Sequence, residues 1–507
     1  MRKMRNGVVR LLGVDLGASG GKCFVGTFSG GGFRLDEIHR FAHEGVSFFI
    51  RDARGRLTER TYWDDTFLYR NIVEGLHAYR RNVSERLDGI GIDTWGADGC
   101  LMTGDGDILG KIYCYRDHRL DRMISVLKAR LDPRRVYQIT GIHFQPFNLS
   151  NQLYWFVLNR PDYLKKGVRF LPIPTVFYFY LGGVGSVDST WASITQLMDA
   201  RSKKWSGELL RVLSIPMSVL PRIVKPGKVV GRLHKPLAEL VGFQEQPPLI
   251  SVGSHDTASA FAAAPVSDVS EALIISSGTW SLVGKLVPSP ITSDDAMRFN
   301  LSNEGGIGNV RLLKNCMGTW LVQELRRVWR VADGREMEWG EITRLAERAP
   351  AFSCHIDPDD PGFYNPPNME EAIRKFCEKT GQNPPADRGS MLRTVYESLA
   401  LKYRMVNEQI MRVSGTKTSA VHIVGGGSKN ELLNQFAADA LGLPVLAGPE
   451  EATAVGNLMV QAVGAGVLDS ISDALPLVKA AFPIREYRPG NIQAWEKAYE
   501  RFRNVAR

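Results

Sequence analysis

Asp15 stands where the apolar run VVRLLGV breaks into the small-residue turn Gly17-Ala18-Ser19-Gly20-Gly21, followed by Lys22. Backbone N–H groups in such a turn can approach phosphate oxygens unobstructed, and a carboxylate at the strand end can hold a hydrated Mg²⁺. An ordinary tight turn reads the same way, and the Lys-Ser/Thr ending of a P-loop is missing. A second turn, Ser276-Ser277-Gly278-Thr279-Trp280, offers hydroxyls and N–H groups that could clasp terminal phosphates, or it simply closes a hairpin around a packed Trp280. Gly425-Gly426-Gly427 could admit a flat base against bare backbone, with the N-terminus of the following helix beside it. Ser254-His255-Asp256-Thr257 follows the apolar run PLISVG, which puts Asp256 at a strand end or in the first turn of a helix. There it could be a general base toward a hydroxyl, a helix cap, or half of a metal-binding His-Asp pair. Two further segments, Asp93-Thr94-Trp95-Gly96-Ala97-Asp98 and Tyr115-Arg116-Asp117-His118-Arg119, gather aromatics, carboxylates and guanidiniums. A polyol needs such groups, because hydroxyls take directed hydrogen bonds and C–H faces stack on rings. A structural ion-pair network needs the same groups.

These residues require strands and helices to position them. Two regions, VVRLLGVDLGASGGKCFVGTF and ALIISSGTWSLVGKLV, each read as a β-hairpin around a glycine-bearing loop, a likeness of pattern consistent with an ancient duplication. After the first comes a helix from about Asp65 to Arg80, with Leu68, Ile72, Val73, Leu76 and Tyr79 on one stripe and Asp64 or Asp65 available as cap, then the buried strand LDGIGIDTW. A second helix begins near Ser390, repeats Leu392, Val395, Leu399, Tyr403, Val406, Ile410 and Val413 at helical intervals, and stops at Gly415. The strand AVHIV, the glycine turn and a helix through Leu432 and Phe436 complete an α/β pattern. A stretch rich in Pro, Gly and Lys between Pro221 and Pro248 reads as a connection, which sets a boundary near residue 250 and domains of 1–250 and 251–507. A cleft between two α/β domains is a favoured place for a ligand.

The chain's 507 residues exceed one ordinary core, which supports two domains. With 44% hydrophobic and 23% charged residues, disordered and collagen-like classes are excluded. Fifty glycines, about one residue in ten, exceed the usual share of about 7%. A net charge of +9 suits anionic partners, but the basic residues are dispersed, without a run or interleaved aromatics, so nucleic-acid binding is not expected. The opening MRKMRNG resembles the charged region of a signal peptide, yet Arg10 and Asp15 interrupt the apolar stretch export would need, so a cytoplasmic protein without a membrane span is expected. Six scattered cysteines show no C-x-x-C pair and read as reduced thiols, although Cys354 and Cys377 could in principle pair.

Taken in order, VDLGASGGK, IGIDTWGAD, YRDHR, YQITGIHFQPFN, SHDTASA, SSGTWSL, NEGG with LLKNCMGTWL, HIVGGGSKNELLNQFAADALGLPV and GPEEATAVGN resemble the carbohydrate kinases of the FGGY family, most closely its L-rhamnulose kinase branch. The resemblance runs from about residue 8 to residue 465. It implies two actin-like, ribonuclease H-like ATPase domains flanking a deep cleft, with ATP, Mg²⁺ and a sugar as ligands, in a monomer or homodimer. By that resemblance Asp256 matches the catalytic base and Asp15 the carboxylate near Mg²⁺, acting through water. Ala18, Ser19, Gly20, Gly21, Lys22 and Thr279 match phosphate contacts, and Gln323 and Gly426 match nucleotide contacts. Gly96, His255, Asp256, Thr257 and Asn315 match sugar contacts. The chain departs from the pattern in three places. Gly20 and Lys22 replace a hydroxyl residue and an arginine, Gly99 stands where an aromatic follows the Trp-Gly-x-Asp segment, and Gly45 to Trp63 carries four arginines in an unusual stretch. The last two fall near the expected sugar wall, so L-fuculose, D-xylulose or a polyol is an alternative substrate. An actin-like ATPase without a sugar is the alternative of a different class, in which SHDT, WGAD and KNCMG would have no purpose.

Overall fold

The computed structural model describes residues 7–51, 55–84 and 86–506. The basic start, residues 1–6, and residues 52–54 of the arginine-rich stretch lie outside the described residues. The chain divides into two compact units, one of residues 1–263, 287–312 and 452–481, the other of residues 264–286, 313–451 and 482–507.

In the first unit a sheet runs in the order Lys228–Arg232, Pro248–Ser251, Gly89–Thr94, Val9–Gly17, Gly20–Ser29, Gly32–Ala42. The expected hairpin is Val9–Gly17 with Gly20–Ser29, closed by a two-residue turn at Ala18 and Ser19. Val9–Gly17 pairs in parallel with Gly89–Thr94, in the register Asp15 with Asp93. Along Gly89–Thr94, isoleucines alternate with glycines. A Cβ on Gly91 would come within 2.7 Å of Gln461, Val252 and Asn457, so this bare face is where the helix Ala452–Gly464 lies. That helix also meets the helix Asp256–Ala262 backbone to backbone, because a Cβ on Gly456 would overlap the Ser259 carbonyl oxygen. The packing explains why a segment from the end of the chain belongs to the first unit, and why the units differ from a single cut near residue 250. The Pro221–Pro248 stretch is likewise not a bare connection. It contains the strand Lys228–Arg232, antiparallel to Pro248–Ser251, and the helix Lys235–Val241. Its Pro, Gly and Lys content suits an exposed edge strand, where charge discourages further pairing. The helix Asp65–Asn82 forms as its apolar stripe predicts, with the Asp64 carboxylate accepting from Phe67 N–H at 2.9 Å.

The second unit repeats the plan. Ala272–Ser277 and Trp280–Val287 form the antiparallel hairpin, Ala272–Ser277 runs parallel to Ala420–Val424, and Ala420–Val424 runs parallel to Val445–Ala447. The helix Arg388–Ser414 is capped by Asp387, which accepts from Ser390 N–H at 2.8 Å, and it ends at Gly415 with φ 70°. A left-handed residue there is the usual place for glycine. All six cysteines are buried free thiols, with Cys354 Sγ and Cys377 Sγ 3.7 Å apart. Among the described residues no helix is long and apolar enough to cross a membrane.

Candidate active site

In the first unit the sheet brings together three carboxylates. Asp15 lies beside Asp93 in register, and Asp256 opens the helix that follows Pro248–Ser251. Asp93 is fully buried. Burial first, then the charges of Asp15 and Asp256, push its carboxyl well above the usual range, against a hydrogen bond from Asn457 Nδ2 to Asp93 Oδ2. Asn457 is fixed in turn by Gln461, whose Nε2 donates to Asn457 Oδ1 at 2.7 Å and to Leu12 O at 3.0 Å. Asp93 was not among the individually predicted site residues, and its partner Asn457 lies 364 positions away.

Asp256 differs from its surroundings. Every other residue from Ser251 to Phe261 is buried, whereas the Asp256 side chain is 30% exposed. Its Oδ1 accepts from the Thr257 backbone N–H and, at 3.1 Å, from Thr257 Oγ1. His255, not Asp256, stands at the N-cap position and the helix has no side-chain cap, so the capping alternative fails; the Thr257 contacts occupy one oxygen and orient the carboxylate. His255 is nearly buried, with Nε2 3.5 Å from Asp256 Oδ1. Gly96 lies against this ring, since a Cβ there would fall 2.6 Å from His255 Nε2. Gly96, His255, Asp256 and Thr257 are thus one cluster. Among the described residues no group of three His, Cys, Asp or Glu side chains is placed to hold a metal ion by itself.

The glycines of the first turn turn out to have packing reasons. A Cβ on Gly21 would overlap the Phe41 ring, and one on Gly20 would lie 3.0 Å from Phe41 O. Ala18 and Ser19 form the open tip. His43 secures it, with Nε2 hydrogen-bonded to Gly17 O at 2.8 Å and its backbone N–H donating to Ser19 O. Burial holds His43 below its ordinary value, outweighing the Gly17 contact, and Nε2 donates to the Gly17 carbonyl. The same ring lies 5.7 Å from Trp95 and 5.5 Å from Trp63. Sequence reading missed His43 because an isolated histidine carries no spacing signal.

Behind these residues lies a wall of aromatic side chains centred on Asp98. This fully buried carboxylate accepts from Trp63 Nε1 at 2.7 Å, Trp95 Nε1 at 3.2 Å, Tyr115 N–H at 3.0 Å and Gln152 Nε2 at 3.1 Å. Burial nevertheless raises its carboxyl to about 6. In the Tyr115–Arg119 segment, Arg119 is buried over the Tyr113 ring and donates to Gln152, while Asp117 accepts from Thr61 and Arg119 backbone N–H groups. These residues form the structural network, and His118 points to the surface beside Asp121. Gly99 has no room for the aromatic that the family pattern carries, because a Cβ would overlap Leu171 O and sit 2.5 Å from Phe170 Cζ. Here the Phe170 ring occupies that space. The Gly45–Trp63 stretch forms the hairpin Val46–Arg51 with Leu57–Tyr62.

In the second unit the predicted nucleotide residues converge. Thr279 Oγ1 lies 3.5 Å from Gln323 Oε1, Gln323 Nε2 donates to Thr319 Oγ1 at 3.3 Å, and Thr319 Oγ1 donates to Gly278 O at 2.8 Å. Gly318 is required beneath the turn, because a Cβ would fall 2.7 Å from Gly278 O. In the glycine triplet, Gly425 has φ 84° and donates to Pro449 O, and Gly427 is pressed against Ser277 so that a Cβ would overlap its hydroxyl. Gly426 alone has open space above it. Asn315 lies on Val310–Met317 with its Oδ1 buried and unpartnered. The end of this strand is fixed by Asp359, which accepts from Met317 N–H at 2.8 Å and pairs with buried Lys402 at 3.0 Å. Burial alone would lower the Lys402 ammonium, but Asp359 and Asp357 raise it above its ordinary value.

Residues 68–262 match the N-terminal domain of the FGGY family of carbohydrate kinases, and residues 273–465 match its C-terminal domain. The chain is 37% identical to the rhamnulokinase of Bacteroides thetaiotaomicron, covering 97% of this chain and 99% of that protein. It is also 37% identical to the rhamnulokinase of Pectobacterium atrosepticum, covering 98% and 97%. Its fold matches the crystal structure of gluconate kinase from Lactobacillus acidophilus with a TM-score of 0.79 at 15% identity, covering 98% of each chain. It matches ligand-bound xylulose kinase from the same organism with a TM-score of 0.77 at 16% identity, covering 98% and 97%. The chain belongs to the FGGY family of carbohydrate kinases and is a carbohydrate phosphotransferase with a two-domain α/β fold.

Proposed function

We propose that this kinase transfers the γ-phosphate of ATP to the primary hydroxyl of L-rhamnulose, with Asp256 as general base. The observation that carries the mechanism is the partly exposed Asp256 carboxylate emerging from an otherwise buried segment beside His255 and Gly96. One oxygen is held by Thr257, which leaves the other to accept the hydroxyl proton as the oxygen attacks phosphorus. A positioned base of this kind contributes about 10² to 10⁴ in rate. The sugar is the one named for relatives similar over almost their whole length. His255, Gly96, Thr257 and Asn315 are assigned to it.

Ala18 to Lys22 and Thr279 are assigned to the phosphates, and Gln323 and Gly426 to the rest of the nucleotide. Open space above Gly426 supports the last assignment. The carboxylate pair Asp15 and Asp93 fits a hard divalent cation, since adjacent like charges and the unpartnered, buried Asp93 Oδ1 would both be relieved by one. Mg²⁺ would be held by Asp15 through water, and when bound it supplies neutralisation of phosphate charge. The transition state of phosphoryl transfer is loose, so the protein's task is chiefly alignment and charge.

A panel of ketoses and polyols with Mg-ATP, followed by ADP release, tests the reading. L-rhamnulose should give the highest kcat/KM. Turnover with L-fuculose or D-xylulose but not L-rhamnulose would reject the substrate and keep the kinase, and ADP release independent of sugar would reject sugar phosphorylation.

A further inference from the structure

Next to His255 lies a buried ion pair without a task in the reaction as described. Glu304 is 2% exposed and Arg311 0% exposed, and Arg311 NH2 meets Glu304 Oε2 at 3.1 Å. A buried guanidinium is costly unless its charge and its donors are matched. Arg311 Nε donates to Gly305 O at 3.0 Å. Its NH2 also lies 3.1 Å from His255 Nδ1. Glu304 Oε2 is 3.3 Å from the same ring nitrogen. Burial would raise the Glu304 carboxyl, yet the Arg311 guanidinium chiefly holds it down at about 2, so the pair is charged.

The chemistry of these groups restricts the imidazole. Arginine has donors and no acceptor, so it can hydrogen-bond a ring nitrogen only through that nitrogen's lone pair. With Nδ1 as acceptor, a neutral His255 must carry its proton on Nε2, the nitrogen that faces Asp256. Each ring nitrogen lies near a carboxylate oxygen, Nδ1 3.3 Å from Glu304 and Nε2 3.5 Å from Asp256, so it is the Arg311 donor on Nδ1 that selects the tautomer.

We propose that Arg311 is a positioning residue that holds His255 in the Nε2–H tautomer, so that the ring offers a donor to a sugar oxygen and leaves proton acceptance to Asp256. Glu304 balances the guanidinium and marks the alternative state, because without Arg311 it is the acceptor to which Nδ1–H would turn. The inference rests on the reading of Asp256 as base and His255 as sugar contact.

The direct test is nitrogen NMR of enzyme labelled with ¹⁵N-histidine, with His255 assigned among the nine histidines by its loss in His255→Gln. The wild-type spectrum should show unprotonated Nδ1 and protonated Nε2, and Arg311→Met should reverse the pattern. A protonated Nδ1 in the wild type overturns the proposal without any variant. In kinetics, Arg311→Met should lose at least about tenfold in kcat/KM for the ketose with KM for ATP unchanged, the scale of one buried hydrogen bond to a charged group. Arg311→Lys, still a pure donor, should recover part of that loss and keep the wild-type tautomer. If Arg311→Met fails to fold because Glu304 is left unpaired, the lysine variant and the wild-type spectrum still decide. Asp256→Asn separates the two levels. Turnover surviving that change removes the base reading and, with it, the need for the tautomer. Turnover lost in Asp256→Asn but unaltered in Arg311→Met overturns the positioning role alone.

Discussion

The two glycine-bearing hairpins share a backbone plan and differ in charge. In the first unit, Val9–Gly17 and its parallel neighbour Gly89–Thr94 end in Asp15 and Asp93, and Asp256 lies close enough to add to the repulsion at Asp93. In the second, Ala272–Ser277 and its parallel neighbour Ala420–Val424 lead into Ser276, Ser277, Thr279 and a glycine triplet, with Gln323 beside them. One frame therefore carries acidic groups fit for a cation and a proton, and the other carries neutral donors fit for phosphate oxygens. The glycines differ as well. Gly20 and Gly21 are small because Phe41 leaves no room, whereas Gly426 is bare above open space. A glycine-rich turn thus says little until its surroundings are known.

The largest effect should come from removing charge in the first hairpin. Asp15→Asn is expected to lower turnover at least about a hundredfold and raise the Mg²⁺ requirement, the scale of losing metal-borne charge stabilisation. Adding charge to the second hairpin sharpens the contrast. Thr279→Asp should raise KM for ATP at least about tenfold through repulsion of the phosphates, with the sugar KM unchanged. Removing a neutral contact there should do less. Thr279→Ala or Gln323→Ala should raise KM for ATP by about two- to tenfold, the scale of one hydrogen bond.

The smallest effect concerns stability and the aromatic wall. Burial raises Asp98 to about 6 from its ordinary 3.8, so the folded protein binds this proton more tightly than the unfolded chain. Stability from this group is then greatest below the unfolded value and declines as pH rises to about 6. Measured by denaturant unfolding, wild type should gain on Asp98→Asn by on the order of 2 kcal/mol as pH falls from 7 to 4. A constant difference would contradict the raised value.

Much of the frame was legible in the sequence because its signals are local. The hairpins follow from strand runs around glycine turns, and Asp65–Asn82 and Arg388–Ser414 follow from helical periodicity with an aspartate cap. The first unit's tail was not legible, because a helix that covers Gly91 and touches Ser259 is specified by absent side chains hundreds of residues away. The site divides similarly. Asp256, Thr279, Gln323 and Gly426 stand in recognisable motifs. His43, Asn457 and Arg311 act through ring packing and long-range hydrogen bonds, for which one sequence offers no spacing. Gly99 shows a further limit, since the ring that fills its space comes from Phe170 on the paired strand.

The central claim is that Asp256 accepts the proton of a sugar hydroxyl as phosphate is transferred. Single-turnover measurements with Mg-ATP and L-rhamnulose, comparing wild type with Asp256→Asn, test it directly. Phosphate transfer should fall at least about a hundredfold while ATP affinity is retained. Transfer at close to the wild-type rate in the folded variant would contradict the claim.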